Sequence, residues 1–208
     1  MTEEYGYDYF ERGLAAGISL YENYRWIPEL TIPLAMTYID YLRLTREDEI
    51  LDFGCAKGYV VKALRMLHRK AWGCDLSKYA IIMADPETKQ YLKQSYEEKA
   101  VPFIRRFDWI IAKDVLEHIE ESKLPSILRE LREFSYKMFA IIPLGEDGKF
   151  NVPAYNMDKT HKTAHSLEWW KKTFKANKWY VDSACLRVQG IKDNWADYAD
   201  GNGFFILL

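Results

Sequence analysis

Cysteine is scarce. Cys55, Cys74 and Cys185 are odd in number and show no C-x-x-C spacing. They supply neither an even set for a disulfide framework nor a thiolate pair for a zinc site. Positive charge is not in surplus: 29 lysines and arginines face 31 aspartates and glutamates, for a formal net charge of -2. A general nucleic-acid binder needs excess cation to displace counterions, so that class is disfavoured, although a local basic patch stays open. No apolar run approaches the roughly 20 residues that cross a bilayer. The start, MTEEYGYDYFERG, is acidic and aromatic and does not read as a basic, apolar leader. No repeat, low-complexity tract or interdomain linker interrupts the 208 residues. What remains is the expectation of one domain, 1–208, in a cytoplasmic enzyme or binding module, long enough to bury a substantial core.

What is present is a change of pattern near residue 48. Residues 1–47 read as helices, with apolar residues at helical spacing in YFERGLAAGISLYENYRW and PELTIPLAMTYIDYLRL; Pro28 and Pro33 mark turns or first-turn positions. From Glu49, short apolar runs alternate with helical stretches. EILDF, AWGCD, KQYLKQ, FDWIIAK and KMFAIIPL read as strands; KGYVVKALRMLH, SKYAIIMAD (limited by Pro86) and KLPSILRELREF read as helices between them. That alternation implies an α/β fold, a parallel sheet with helices on both faces. The tail differs: Ser166 caps LEWWKKTFKAN, and WYVDSACLRV and GFFILL form an antiparallel pair at one sheet edge.

The stretch ILDFGCAKGYVVKAL breaks at Gly54 and Gly58, between an acidic strand end and a helix start. Ligands of open parallel sheets sit beyond the carboxyl ends of the strands, where strand order reverses. A dinucleotide fingerprint would place glycines at 54, 56 and 59, but those positions hold Gly54, Ala56 and Tyr59. Tyrosine there would crowd the helix–strand contact, and no G-K-[ST] follows to make a P-loop. Asp75 closes the second strand, 17 positions after Gly58. A carboxylate there can accept from both ribose hydroxyls of a nucleoside, or simply cap the next helix, a task open equally to Ser77. The spacing suggests an adenosine-containing ligand without a pyrophosphate.

ILDFGCAKG, GCDLS and FDWIIAKDVLEHI together resemble, in order and spacing, the sequential motifs of class I S-adenosylmethionine-dependent methyltransferases, from about Glu49 to Leu208. The resemblance implies a Rossmann-like seven-stranded sheet of order 3-2-1-4-5-7-6, mostly parallel with the last strand antiparallel. It further implies S-adenosylmethionine as cofactor. Asp52 matches the acidic residue near the methionine ammonium; Phe53, Gly54, Cys55 and Gly58 match the turn beneath methionine and ribose. Asp75 matches the ribose carboxylate and Leu76 the apolar face of adenine. Ala112, Lys113 and Asp114 match the end of strand four beside the methionine moiety. Two departures stand out. Ala56 replaces the usual middle glycine, tolerable if its φ is negative, and the third-strand loop lacks the common aspartate, leaving Gln94 or Ser95 near adenine.

Transfer to a hydroxyl gains from a general base, whereas a neutral amine needs only its lone pair. His118, in VLEHI, resembles a position common in the family; packing or capping is its plainer use. Asp158-Lys159-Thr160-His161 resembles a loop that overhangs the pocket in small-molecule methyltransferases, and His161 is the favoured base over His118. Tyr21, Tyr24, Arg25 and Trp26 lie in a stretch that resembles the N-terminal lid of enzymes acting on sugars or related metabolites. Tyr21 and Tyr24, at i and i+3, would share a helix face. Trp169 and Trp170 read as core, and Glu120 and Glu121 as a solvated helix end. No metal cluster stands out, with Asp158 and His161 a weak alternative. The leading expectation is methylation of a hydroxyl or amine on a small metabolite such as a sugar or nucleotide-sugar. RNA or protein methylation, or a non-catalytic cofactor-binding partner subunit, are the alternatives.

Overall fold

A computed structural model describes residues 4–208. Its main sheet contains strands β1 (Glu49–Phe53), β2 (Lys70–Asp75), β3 (Leu92–Gln94), β4 (Trp109–Lys113), β5 (Met138–Pro143), β6 (Val181–Cys185) and β7 (Asn202–Leu207). Their spatial order is 3-2-1-4-5-7-6. Pairings among β1 to β5 are parallel, with Asp52 opposite Gly73 on one side and Ile111 on the other. β7 runs antiparallel to both β5 and β6. The order reverses between β1 and β4, which places the ends of those strands where the sequence located the ligand. All six residues of β5 are buried, as a central strand covered on both faces requires.

Helices cover the two faces. On one, α7 (Leu124–Phe134) buries Leu124, Leu128 and Leu131, while α8 (Leu167–Ala176) buries Trp170 and Phe174. Those residues sit one and two turns apart, so one stripe of each helix meets the sheet. Ser166 caps α8 by accepting the Trp169 N–H at 3.3 Å. The opposite face is packed by α3 (Pro28–Leu42) and α4 (Tyr59–Met66). Pro28 opens α3, but Pro33 lies inside the helix and not at a turn. Its missing N–H removes the bond to the Glu29 carbonyl, on an exposed first turn where water can substitute.

Two further local expectations change. The helix after β2 is shorter than SKYAIIMAD: α5 covers Lys78–Ile82, and Pro86 begins a separate one-turn α6 (Pro86–Lys89) capped by Asp85. The N-terminal stretch is not one amphipathic helix. It forms α1 (Tyr7–Glu11) and α2 (Gly13–Ala16), ends at left-handed Gly17, and continues to Ile27 without regular structure. Tyr21 and Tyr24 therefore share no helix face, although their rings meet edge-on at 4.7 Å. None of the described helices is long and apolar enough to cross a membrane.

Candidate active site

From the end of β1 the chain turns through Gly54 and Gly58 into α4. Both have left-handed backbones, with φ of +79° and +76°. A Cβ at Gly54 would lie 2.6 Å from Val115 Cγ2, and one at Gly58 2.6 Å from Leu92 Cδ1. The glycines thus admit both the turn and the side chains packed against it. Ala56 does not have the negative φ that would make its methyl comfortable; its φ is +49°. Asp75 holds it there. Asp75 Oδ2 accepts the Ala56 N–H at 2.7 Å, and Oδ1 accepts the Ser77 N–H at 2.8 Å. The helix cap falls to Ser77, whose hydroxyl accepts the Ala80 N–H at 2.9 Å. One carboxylate thereby ties the glycine turn to the start of α5.

Above these turns lies a cavity of about 360 Å³, within the roughly 300–1,000 Å³ of small-ligand sites. Among the residues singled out in the sequence, Phe53, Gly54, Asp75, Leu76, Ser95, Asp114, His118 and Tyr21 line it. Ser95 donates its hydroxyl hydrogen to the Ala100 carbonyl at 2.8 Å but keeps acceptor capacity toward the cavity. Asp52, Cys55, Gly58, Ala112, Lys113, Tyr24, Arg25, Trp26 and His161 are not in the lining. Arg25 is exposed, and Trp26 packs against Tyr59 at the outer edge of α4. Tyr59 thus turns toward the N-terminal segment and leaves the helix–strand contact uncrowded.

The sequence reading missed Tyr5, Tyr9 and Phe10, which line the cavity with Tyr21. The i, i+4 spacing of Tyr5 and Tyr9 was the available signal. Their segment is held to the core from several directions. Ser77 donates to the Tyr5 carbonyl at 2.5 Å, Lys159 N–H to the Ile18 carbonyl at 2.9 Å, and Tyr9 OH to Asp158 Oδ2 at 3.3 Å. Lys57, in the glycine turn, pairs with Glu11 and donates to the Tyr24 carbonyl at 2.7 Å.

At the far end, Asp114 is paired with Lys113 and Lys192. Burial alone would raise its pKa, but the two ammonium groups hold the carboxyl well below the usual range. Beyond it, the short 3-10 turn Leu116–His118 presents His118 to the cavity. His118 Nδ1 lies 2.8 Å from Thr160 Oγ1, and the Thr160 hydroxyl donates to Asp158 Oδ1 at 2.6 Å. The hydroxyl has a single hydrogen, spent on Asp158, so Nδ1–H of His118 is the donor and Nε2 keeps its lone pair. Burial, reinforced by His161, lowers the His118 pKa to about 4, so the ring is neutral near pH 7. His161 packs beside it, ring centroids 4.6 Å apart. Burial also raises Glu117 to about 8, with Asp114 adding to the shift.

Asp52, at the end of β1, is buried, and burial, reinforced by Asp75 and opposed by Lys113, pushes its pKa up to about 7. The unfolded chain releases this proton near pH 3.9. The folded state therefore binds more protons than the unfolded one between those values, and stability falls as pH rises from about 4 to 7. Replacing Asp52 with Asn removes that slope. Urea unfolding at several pH values should show wild type losing on the order of 3 kcal/mol more than Asp52→Asn between pH 4 and pH 8. Parallel pH profiles would contradict the burial argument.

A family model described as a methyltransferase domain matches residues 29–180. This chain belongs to that methyltransferase family. Among solved structures, it resembles an S-adenosylmethionine-dependent methyltransferase from Clostridium acetobutylicum, with a TM-score of 0.61, 13% identity, and 97% of this chain and 95% of that one covered. A similarly described protein from Archaeoglobus fulgidus gives 0.59 at 14% identity, with coverage of 84% and 92%. A TehB-like relative from Corynebacterium glutamicum gives 0.60 at 16% identity, with coverage of 94% and 92%. At these identities the likeness is one of fold, and the strand order is the one the motif resemblance implied. No curated protein sequence matches.

Proposed function

We propose that this chain transfers a methyl group from S-adenosylmethionine to a hydroxyl or amine of a small metabolite, such as a sugar or nucleotide-sugar. The observation that carries the reading is the shape of the cavity: it begins at the glycine turn and is covered by the aromatic rings of Tyr5, Tyr9, Phe10 and Tyr21. A pocket so covered suits a compact acceptor better than a polymer. Its outer lining mixes Glu4, Glu97 and Glu120 with Lys123 and Lys162, giving no cationic track for a nucleic-acid backbone.

The donor set fits the cofactor. Gly54 leaves no side chain over the turn, the Asp75 carboxylate lines the cavity where the resemblance places the ribose, and Leu76 and Ser95 offer an apolar face and an acceptor for adenine. Asp52, which the motif resemblance placed near the methionine ammonium, lies buried behind the lining rather than in it. The cofactor supplies an activated methyl on a sulfonium; the chain's residues align the acceptor and exclude water. Of the two imidazoles, His118 faces the acceptor space with a free Nε2, and His161 supports it from behind.

S-adenosylhomocysteine at a hundredfold excess over its dissociation constant should stabilise the fold by about 2.7 kcal/mol, or roughly 5–10 °C in melting temperature. NAD should give no shift. The acceptor class is tested by incubating the protein with methyl-labelled S-adenosylmethionine and small-metabolite, RNA and protein fractions. Label in the small-metabolite fraction is expected; label confined to RNA or protein would overturn the acceptor assignment.

A further inference from the structure

Behind the cavity wall, the carboxyl group of Glu117 and the imidazoles of His118 and His161 converge. Glu117 is completely buried, and neither carboxylate oxygen has a hydrogen-bond partner. Such a carboxyl is costly to bury unless something else satisfies it. His161 Nε2 stands 4.0 Å from Glu117 Oε1. The hydrogen of His161 is elsewhere: Nδ1 lies 2.7 Å from the Tyr155 carbonyl, which can only accept, so Nδ1 is the protonated nitrogen. The same logic, through Thr160 and Asp158, leaves His118 Nε2 unprotonated. Both neutral imidazoles thus have their tautomers set by an acceptor behind them, the arrangement that orients histidine ligands in metal sites. One candidate ligand atom from each of Glu117, His118 and His161 lies within 4.8 Å of the other two.

We propose that Glu117, His118 and His161 form a binding site for one divalent first-row transition-metal ion, opening on the cavity through His118. Two imidazoles and a carboxylate suit zinc, manganese, iron or cobalt, and leave coordination positions for an oxygen ligand. Asp158, which the sequence suggested as a partner of His161 for a metal, is occupied instead by Thr160 and Tyr9. Its place is in the outer shell. An ion held here would acidify a hydroxyl bound to it. That consequence rests on the methyltransferase reading, whereas ion binding itself does not.

The test is titration of metal-free protein with cobalt(II), followed by visible absorption and calorimetry, with and without S-adenosylhomocysteine. One saturable equivalent is expected. Glu117→Gln should lower the affinity by more than the roughly 10- to 100-fold typical of outer-shell changes, and Thr160→Val by an amount within that range. His165→Ala, which removes a surface imidazole bonded to Glu121, should leave binding unchanged. Circular dichroism and S-adenosylhomocysteine binding verify that each variant is folded. Absence of saturable binding in folded wild type, or unchanged binding in folded Glu117→Gln, would overturn the site. Because S-adenosylhomocysteine binding is read separately, failure of the metal site and failure of the cofactor assignment are distinguishable.

Discussion

Asp75→Ala is expected to lower affinity for S-adenosylhomocysteine by roughly 10- to 100-fold, the 1.5–3 kcal/mol associated with charged hydrogen bonds. The same change should destabilise the ligand-free fold. Asp75 accepts N–H groups from both Ala56 and Ser77, so its loss removes the hydrogen bond that ties down a left-handed alanine. Asp75→Asn separates the two effects. Its single carbonyl oxygen can keep one backbone bond while losing the charge, so most of the affinity loss should persist with less loss of stability. Calorimetry and denaturant unfolding on the same preparations read both quantities. Full affinity in folded Asp75→Ala would confine this residue to the turn.

The second large effect is expected at Lys57. Its ammonium is nearly buried, paired with the partly buried Glu11, bonded to the Tyr24 carbonyl, and close to the faces of Tyr24 and Tyr79. Lys57→Met leaves the Glu11 carboxylate without its cation, and breaking such a pair costs roughly 3–5 kcal/mol. At about 2–4 °C per kcal/mol for a chain of this size, the melting temperature should fall by roughly 6–20 °C. The loss should be felt first in the segment from Tyr7 to Tyr24, because this ion pair joins the cover to the glycine turn. Adding Glu11→Gln to Lys57→Met should recover part of the loss, since the stranded charge is then gone. A Lys57→Met protein within 2 °C of wild type, with unchanged amide exchange in the cover, would show that other contacts hold the cover alone.

The sheet was legible because its strands are short apolar runs spaced by helical periodicity, and the order followed from the motifs. The glycine turn was legible for the same reason. The cover was not, because Tyr21 and Tyr24 show helical spacing while left-handed Gly17 and Asn23 break the helix around them. A small hairpin, Gly145–Glu146 with Lys149–Phe150, was also missed, although Asp147-Gly148, both at positive φ, carries the Asp-Gly signal of a tight two-residue turn. The triplet of Glu117, His118 and His161 lay beyond sequence reasoning for a different reason. Glu117 and His118 are neighbours on a turn after β4, but His161 reaches them only because the Lys162 and Thr163 N–H groups bond to the Glu117 carbonyl at 2.8 and 2.9 Å. Spacing cannot reveal a contact made by folding a loop back across 43 residues.

S-adenosylmethionine is expected to occupy the cavity between the glycine turn and the N-terminal aromatic cover. Hydrogen–deuterium exchange with and without saturating S-adenosylhomocysteine tests it most directly. Slowed exchange is expected at residues 54–58, at 75–77 and 95, and across 5–24, with little change around β6. Protection confined to other surfaces, or none at saturation, would contradict it.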